Sequence, residues 1–550
     1  MKKSEVFKDL APQRQFSLNS GLSTPKLKNY SDYLSKKPIL LTNQQIISFL
    51  SSGYISLAPT LPNEFHNRIF SKIDELIGNG KDEENPGNNI LPLIPEFQLL
   101  FKDPIIHGAL LSILGPNYML HPHRYIHDNP PKSGGQAWHH DTYWGYLKKV
   151  RNHHPWWLML MYMPQETPND LGPTGILPGS QYLNKKIENP DDFEIPNSGP
   201  AGNCMIIHYD LWHHKMKNHT KSSRYMAKFE FVRRNKPSSI TWSNKNSLKW
   251  KNPKTLIPYN LEPIWKNNWS WLTLKPLEYQ NPKIGEIAQL CKQLKSPDTD
   301  HRLIAAGKIN RFGSNSLSAI DPLEEALVDK HEPISLNASY ALGSMGDMGV
   351  KALYNAIKIN DGPNETDPRL FFDEGQEWEL GYVVRNAVHG LIVSGSNSLS
   401  TLIELSLNGD GLSRRYSAFA MGELEIKSKE IEEHLVNLCF DNDPFVRISA
   451  IESLGIRPSS PDSVKNICKV LENDIDDEIR SHAALALWRM EPSAKTISSL
   501  KIALYDGDRY VQAYALEALQ RINTTESLNV MVEHLKTSRW CPITNKKNMF

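Results

Sequence analysis

Histidines are concentrated in one part of the chain. Eleven of the nineteen lie in residues 121–219, and a cluster of imidazoles is where a metal site is to be sought. Within it stands the segment Trp138–Asp141, which reads Trp-His-His-Asp. In an extended strand, His139 and Asp141 point to the same side and reach one ion together, while His140 faces away. The spacing therefore predicts one imidazole and one carboxylate ligand.

A second histidine would complete a recognised set of ligands. Two histidines and one carboxylate form the facial triad of non-haem Fe(II) oxygenases, which leaves open positions on the ion for a cosubstrate and O₂. The stretch 202–218 offers His208, His213 and His214. Arg224 follows His213 by eleven residues in an alternating apolar run that predicts a strand. An arginine there can bind a carboxylate through two hydrogen bonds, which favours His213, with His208 as the runner-up.

The elements that must position these residues change character near residue 280. Before it, apolar runs are short and lie between turn signals, which favours strands. After it, alanine and leucine recur at helical spacing, and a small-x-x-small pattern repeats at steps of 33, 49, 30, 33, 33 and 32 residues. This period predicts stacked helical units, and the 49-residue step predicts an inserted loop at about 360–379.

The composition excludes several classes of protein. With 550 residues, two or more domains are expected. The net charge of +1 gives no general attraction to nucleic acid or acidic lipid. We expect no membrane span and no signal peptide, because the apolar runs are too short. The five cysteines are scattered and form no C-x-x-C pair, which indicates a reducing, cytoplasmic setting.

Residues 236–276 have an unusual composition. They contain five tryptophans and seven lysines but only one acidic residue. Aromatic residues interleaved with lysine are typical of proteins that bind single-stranded nucleic acid. Because no basic surplus elsewhere supports that function, we interpret the segment as a connector whose tryptophans pack against one or both domains.

Four stretches in order resemble the phytanoyl-CoA dioxygenase family of Fe(II)/2-oxoglutarate oxygenases. They are an opening helix and strand at Leu41–Tyr54, the H-x-D motif at Trp138–Asp141, a turn at Asp170–Ser180, and a distal histidine, asparagine and arginine at His213, Asn218 and Arg224. The resemblance covers about residues 38–235. It implies a double-stranded β-helix, which is a jelly-roll sandwich.

The resemblance also implies roles for individual residues. The implied iron ligands are His139, Asp141 and His213, and the implied cosubstrate site is Arg224, which anchors 2-oxoglutarate, with Asn129 and Asn218. Two positions depart from the phytanoyl-CoA enzyme: Asn129 replaces a lysine, and Lys215 replaces a serine, both of which contact the cosubstrate. These changes leave the metal ligands in place but argue against an acyl-CoA substrate.

The helical part resembles HEAT-like repeats of the phycobilisome-lyase type. The sequence thus predicts a multidomain β + α chain, with a jelly-roll domain followed by an α-solenoid. The predicted boundaries are an N-terminal extension at 1–37, an oxygenase domain at 38–235, a connector at 236–282, HEAT-like repeats at 283–535 and a tail at 536–550.

The expected activity follows from the resemblance. Using Fe(II), 2-oxoglutarate and O₂, the chain is expected to hydroxylate a C–H bond of a small metabolite or lipid-like molecule and to release succinate and CO₂. Asp141 favours hydroxylation over halogenation, because related halogenases replace this carboxylate; desaturation and epoxidation stay open. The alternatives are a protein-binding repeat scaffold with a degenerate oxygenase domain, an oxygenase acting on a protein held by the repeats, and a zinc hydrolase, which would give Arg224 no role.

Overall fold

A computed structural model describes most of the chain. The described residues are 36–78, 85–141, 149–244, 248–253, 257–363 and 381–537. The predicted N-terminal extension, the predicted inserted loop and the predicted tail lie almost wholly outside these ranges. Within them, a β domain is followed by a helical array, so the predicted fold class is confirmed.

The β domain is a sandwich of two antiparallel sheets. Its strands are β1 (Tyr54–Leu57), β2 (Met119–Asn129), β3 (Trp157–Tyr162), β4 (Thr174–Ile176), β5 (Ile195–Pro196), β6 (Cys204–His208), β7 (His213–Lys215) and β8 (Arg224–Val232). Five strands pair in the order β1-β6-β3-β8-β2 and three in the order β5-β4-β7. Side chains alternate along β3: Met159 and Met161 join Ile176 of the smaller sheet in one core, while Leu158 and Leu160 join a second core with the helices.

Five helices pack on the outer face of the larger sheet. They are α1 (Asn43–Ser52), α2 (Asn63–Ile77), α3 (Ile90–Leu93), α4 (Phe97–Lys102) and α5 (Pro104–Leu114). Helix α1 begins at Thr42, whose side chain forms a reciprocal capping box with Gln45, and it ends at Gly53 in the left-handed conformation (φ 77°). The opening helix and strand therefore lie where the sequence predicts them.

The helical array consists of consecutive pairs that follow the connector helix α6 (Glu262–Thr273). The pairs are α7 (Glu286–Leu294) and α8 (Thr299–Ile309), α9 (Ile320–Leu327) and α10 (Glu332–Gly343), α11 (Gly346–Asn360) and α12 (Tyr382–Ser394), α13 (Leu399–Asn408) and α14 (Gly411–Glu423), α15 (Lys429–Leu438) and α16 (Pro444–Ile456), α17 (Pro461–Asn473) and α18 (Asp477–Arg489), and α19 (Ala494–Ala503) and α20 (Arg509–Ile522). A final helix, α21 (Thr525–Thr537), ends the described array.

We call the second helix of each pair the inner helix. All copies of the small-x-x-small pattern lie on inner helices, where small residues let neighbouring backbones approach closely. At Gly390 on α12, for example, an added Cβ would lie 2.5 Å from the carbonyl oxygen of Ser339 on α10. The repeating pattern therefore marks the residues at which successive inner helices contact each other.

Ion pairs join four of the inner helices to the repeat that follows. An arginine in the first turn of an inner helix binds an aspartate about 27 residues later, and that aspartate also accepts a backbone N–H at the start of its own turn. The pairs of this Asp–Arg ladder are Arg302–Asp329 (2.7 Å), Arg414–Asp441 (3.0 Å), Arg447–Asp474 (3.1 Å) and Arg480–Asp506 (2.7 Å). The acidic turns before these inner helices thus cap helices and connect repeats.

The inner helices face the β domain of the same chain. Six of them contribute a polar or charged contact to it: Glu332 of α10 to the backbone N–H of Asn184, Arg385 of α12 to the carbonyl of Tyr182, Glu423 of α14 to His154, Glu452 of α16 to Lys149, Arg489 of α18 to the ring of Trp156, and Tyr510 of α20 to His123. The inner side of the array is therefore occupied by the β domain.

The connector tryptophans pack as the sequence interpretation expected. Trp242, Trp265 and Trp269 are buried, and Trp271 stacks on the imidazole of His154 with ring centroids 4.1 Å apart. No helix in the described ranges has the length and apolar character needed to cross a membrane.

Candidate metal centre

Three side chains converge on one point of the β domain. The ligand atoms of His139, Asp141 and His213 all lie within 4.8 Å of one another, and no other group of this kind is present among the described residues. One carboxylate oxygen of Asp141, Oδ1, lies 3.8 Å from Nε2 of His139 and 3.5 Å from Nε2 of His213. This geometry leaves room for a single ion between the three groups.

The backbone sets the orientation of both imidazoles. His139 Nδ1 lies 3.0 Å from the carbonyl oxygen of Ala137, and His213 Nδ1 lies 2.9 Å from that of Leu211. A ring nitrogen facing a carbonyl carries the hydrogen, so each Nε2 presents its lone pair to the centre. Burial, together with the neighbouring His213, lowers the pKa of His139 to about 4, which keeps this ring neutral near pH 7.

The predicted strand at the H-x-D motif is shorter than expected. Trp138–Asp141 makes only a single bridge, in which His139 and His213 exchange two backbone hydrogen bonds of 3.0 Å. That bridge extends the edge of the smaller sheet beyond β7 and places the two imidazoles side by side, with ring centroids 4.6 Å apart. His139 and Asp141 still share one side, as the spacing predicts.

Asp141 is held by a lysine from the larger sheet. Lys228 on β8 donates to the second carboxylate oxygen, Oδ2, over 2.7 Å. Burial alone would raise the pKa of Asp141, but Lys228 and the two histidines hold it well below its usual range. The carboxylate is therefore ionised, with Oδ1 directed at the histidines and Oδ2 neutralised by the lysine.

Arg224 lies in the interior at the start of β8. It is 1% exposed, and its Nε donates to the carbonyl oxygen of Gly172 over 2.9 Å, while Nη1 has no hydrogen-bond partner within the described part of the chain. Burial lowers the pKa of Arg224 to about 10, so the guanidinium remains charged at neutral pH. A buried cation with an unused donor fits an anionic ligand group.

A second buried polar group without a partner lies between Arg224 and the three residues of the candidate centre. His127 on β2 interacts electrostatically with Asp141, Arg224 and His213, and its Nε2 is buried without a hydrogen-bond partner among the described residues. Burial lowers the pKa of His127 well below its usual value. The interior thus has a row of polar groups that runs from Arg224 past His127 to the centre.

The two asparagines predicted in the cosubstrate site hold the surrounding loops. Asn129 donates to the carbonyl oxygens of Gly172 and Met216 (2.8 and 3.0 Å), and Asn218 donates to that of Asn129 (2.9 Å). Both amide nitrogens are thereby committed to the backbone that frames Arg224. Contact of either residue with the cosubstrate stays a prediction.

The other candidate histidines lie outside the group. His214 approaches Glu194 with its Nε2 and stacks on Trp138 with centroids 4.2 Å apart. His208 accepts the backbone N–H of Asp210 over 3.2 Å. His140 faces away from the centre and meets the ring of Trp212 edge-on.

Sequence reasoning missed Lys228, although a signal was present. In the alternating run of β8, Lys228 has the same parity as Arg224, so both side chains point into the sandwich. A lysine on the inward parity of a buried strand needs an anionic partner, and Asp141 is that partner. His127, opposite Met226 in the pairing of β2 with β8, also lies inside the sandwich.

Comparison with known proteins agrees with this arrangement. The family model for phytanoyl-CoA dioxygenase matches residues 73–226, and the model for HEAT repeats matches residues 399–488. The first match contains all three residues of the centre and Arg224. No curated protein shows a significant match.

Several solved structures are similar to part of the chain. EvdMO1 is 19% identical over 34% of this chain and 49% of that chain, about half its length (TM-score 0.29). The non-heme alpha ketoglutarate dependent carbocyclase SnoK from nogalamycin biosynthesis is 15% identical over 36% and 88% (TM-score 0.29). EctD from S. alaskensis, solved with 2-oxoglutarate and 5-hydroxyectoine, is 17% identical over 41% and 88% (TM-score 0.31).

The resemblance seen in the sequence is thus confirmed at the level of the domains. The chain joins a region that matches the family model for phytanoyl-CoA dioxygenase, which contains His139, Asp141, His213 and Arg224, to a following array that matches the model for HEAT repeats.

Proposed function

We propose that the chain is an Fe(II)- and 2-oxoglutarate-dependent dioxygenase that hydroxylates a C–H bond of a small molecule. The observation that carries the proposal is the convergence of His139, Asp141 and His213 beside a buried Arg224 with an unused donor. Two imidazoles and one carboxylate suit Fe(II). A guanidinium at the far end of the same interior suits the second carboxylate of 2-oxoglutarate.

In this proposal, some side chains bind the metal or the cosubstrate and others position those that bind. When bound, iron would supply the oxidising chemistry with O₂ and 2-oxoglutarate. Arg224, assisted by His127, would hold the distal carboxylate and so orient the keto acid toward the centre. Asp141 would keep one oxygen for the metal because Lys228 engages the other. The buried surroundings of Arg224 exclude water, which strengthens these charge interactions.

Anaerobic titration tests the proposal. Purified protein is mixed with Fe(II), and the visible spectrum is recorded as 2-oxoglutarate is added, since a keto acid chelated to Fe(II) gives a charge-transfer band. We expect the band in the wild type and its loss in His213→Ala. Arg224→Ala should need at least about tenfold more 2-oxoglutarate, because it lacks a charge-assisted hydrogen bond.

His214→Ala serves as the matched control. This residue adjoins His213 on β7 but faces Glu194, so its loss should leave the band and the 2-oxoglutarate requirement unchanged. Absence of the band in iron-loaded wild type would overturn the cosubstrate assignment. Failure to bind Fe(II) at all, with Zn(II) bound instead, would favour the hydrolase.

The repeat-scaffold alternatives have weaker support. HEAT arrays commonly use the inner side of the stack to bind partners, and here the inner helices lie against the β domain. A protein partner of this chain would therefore have to use the outer helices or the turns. Because the β domain already covers this inner side, we favour a small molecule as the substrate class.

We also propose a reducing, cytoplasmic setting for the protein. The described cysteines, Cys204, Cys291, Cys439 and Cys468, are free thiols, which is the usual state in such a compartment.

A further inference from the structure

A buried carboxylate lies next to Lys228 on the side away from the candidate ligands. Glu230 follows Lys228 by two residues on β8, so both side chains point into the sandwich. Its side chain is 0% exposed. Lys228 therefore stands between two carboxylates: it donates to Asp141 and is attracted electrostatically by Glu230.

Two histidines of β2 surround Glu230. Nδ1 of His121 lies 3.0 Å from Oε2 of Glu230, and Nε2 of His123 lies 4.0 Å from Oε1. His121 Nδ1 also accepts the backbone N–H of His123 over 3.1 Å. This nitrogen therefore carries no hydrogen, and Nε2 of the buried, neutral imidazole carries it instead.

The repeat array supplies the partners of both imidazoles. Nε2 of His121 is hydrogen-bonded to the hydroxyl of Tyr514, and Nδ1 of His123 lies 2.7 Å from the hydroxyl of Tyr510. Both tyrosines belong to α20, the last inner helix, and are almost fully buried. A path of contacts thus runs from the repeats to the lysine that holds Asp141. Hydrogen bonds join the tyrosines to the two imidazoles of β2, whereas Glu230 is linked to those imidazoles and to Lys228 by close approach and electrostatic attraction.

Without the two hydroxyls, the imidazoles would lose the groups that fix their orientation. A buried ring with an unmade hydrogen bond turns or admits water to recover one. Either change alters the surroundings of Glu230 and its competition with Asp141 for Lys228. The position and charge balance of a ligand carboxylate depend on such neighbours. Mutation of a group in direct contact with a metal ligand typically changes the metal affinity by about 10- to 100-fold.

We propose that Tyr510 and Tyr514 of the repeat array are positioning residues of the metal centre, acting on Asp141 through His121, His123, Glu230 and Lys228. The repeats would then be part of the oxygenase itself. This inference rests on the proposed function only in taking His139, Asp141 and His213 as the metal site.

A double-mutant cycle on the full chain tests the path. Co(II) is titrated anaerobically into the wild type, Tyr510→Phe/Tyr514→Phe, Lys228→Met and the combined variant, with the visible d–d bands as the readout. We expect the tyrosine pair to change the Kd for Co(II) by at least about threefold in the wild-type background. We expect that change to vanish in the Lys228→Met background, because the path is cut there.

Tyr505→Phe is the control, since this exposed tyrosine lies in the turn before α20 and should leave the Kd unchanged. An unchanged Kd in the folded tyrosine variant overturns the inference, as does an equal change in the Lys228→Met background, which would indicate a general packing effect. If wild type binds no Co(II), the proposed function fails instead.

Thermal unfolding of each metal-free variant identifies those that fold. If the double tyrosine variant does not, Tyr510→Phe alone is used, because its partner His123 is partly exposed. If Lys228→Met does not, the isosteric Glu230→Gln replaces it in the cycle with the same expectation.

Discussion

Glu230 is a buried acid whose charge state depends on folding. Burial raises the pKa of Glu230 to about 7, against an ordinary value of 4.5, although His123 and Lys228 act in the opposite direction. The folded protein therefore holds this proton over a pH range in which the unfolded chain has released it. Stability is greatest below the unfolded pKa and declines as the pH rises toward about 7.

This linkage predicts a pH effect that a single substitution removes. Relative to Glu230→Gln, the metal-free wild type should lose on the order of 3 kcal/mol of unfolding free energy between pH 4.5 and pH 7.5. Urea denaturation of both proteins across that range measures the difference, with the exposed Glu425→Gln as control. Parallel stability profiles for the wild type and Glu230→Gln would refute the assignment.

At the scale of the elements, most of the predictable features follow from the alternation of side chains between the two faces of a strand. The parity of β8 relates Arg224 to Lys228, and the i, i+2 spacing relates His139 to Asp141, because both follow from local backbone geometry. The pairing of His123 with Tyr510 did not follow, since these residues lie 387 positions apart. No local pattern reports which inner helix a distant strand will meet. The backbone-directed amides of Asn129 and Asn218 were equally inaccessible, because they depend on loop conformation.

The close packing of inner helices predicts a cost for adding one methyl group. Gly390→Ala would favour the helix by about 1 kcal/mol on propensity alone, but its Cβ would meet the Ser339 carbonyl at 2.5 Å. We expect a net destabilisation of about 1–3 kcal/mol, because overpacking outweighs propensity. Urea unfolding measures it.

Gly307→Ala on α8 is the matched control for this substitution. The nearest atom to its Cβ would be the side-chain amide nitrogen of Asn337 at 3.3 Å, and no backbone atom is among its three nearest neighbours. This variant should be neutral or slightly more stable than the wild type. Equal effects of the two substitutions would show that helix spacing does not depend on Gly390.

At the scale of the whole molecule, buried charges join the β domain to the array. Glu423 of α14 is almost fully buried and accepts hydrogen bonds from Asn152 (2.6 Å), His154 (2.7 Å) and Trp156 (3.1 Å). Burial alone would raise the pKa of Glu423, but its partners, His154 first among them, lower it. Removing this carboxylate would leave three buried polar groups of the β domain without their partner.

We therefore expect the two parts to unfold together. Glu423→Ala should destabilise the chain by about 3–5 kcal/mol, as breaking a buried charged network does. The unfolding transition followed by tryptophan fluorescence and the one followed by far-ultraviolet circular dichroism should shift by the same amount. Glu425→Ala, exposed and two residues away, should have little effect. A shifted fluorescence transition with an unshifted helical one would show that the array folds independently.

The Asp–Arg ladder and the inner contacts respond differently to a change in repeat number. Excising one unit of about 33 residues between α14 and α20 would leave each arginine there facing an equivalent aspartate, because the ladder repeats at each of these three steps. The inner contacts are each specific: Glu423, Glu452 and Tyr510 meet different β-domain partners. The helices of a shortened array would still stack on one another. Each inner helix after the deletion, however, would lie opposite the β-domain residues that normally contact the preceding inner helix. The specific contacts with the β domain therefore fix the number of repeats in the array.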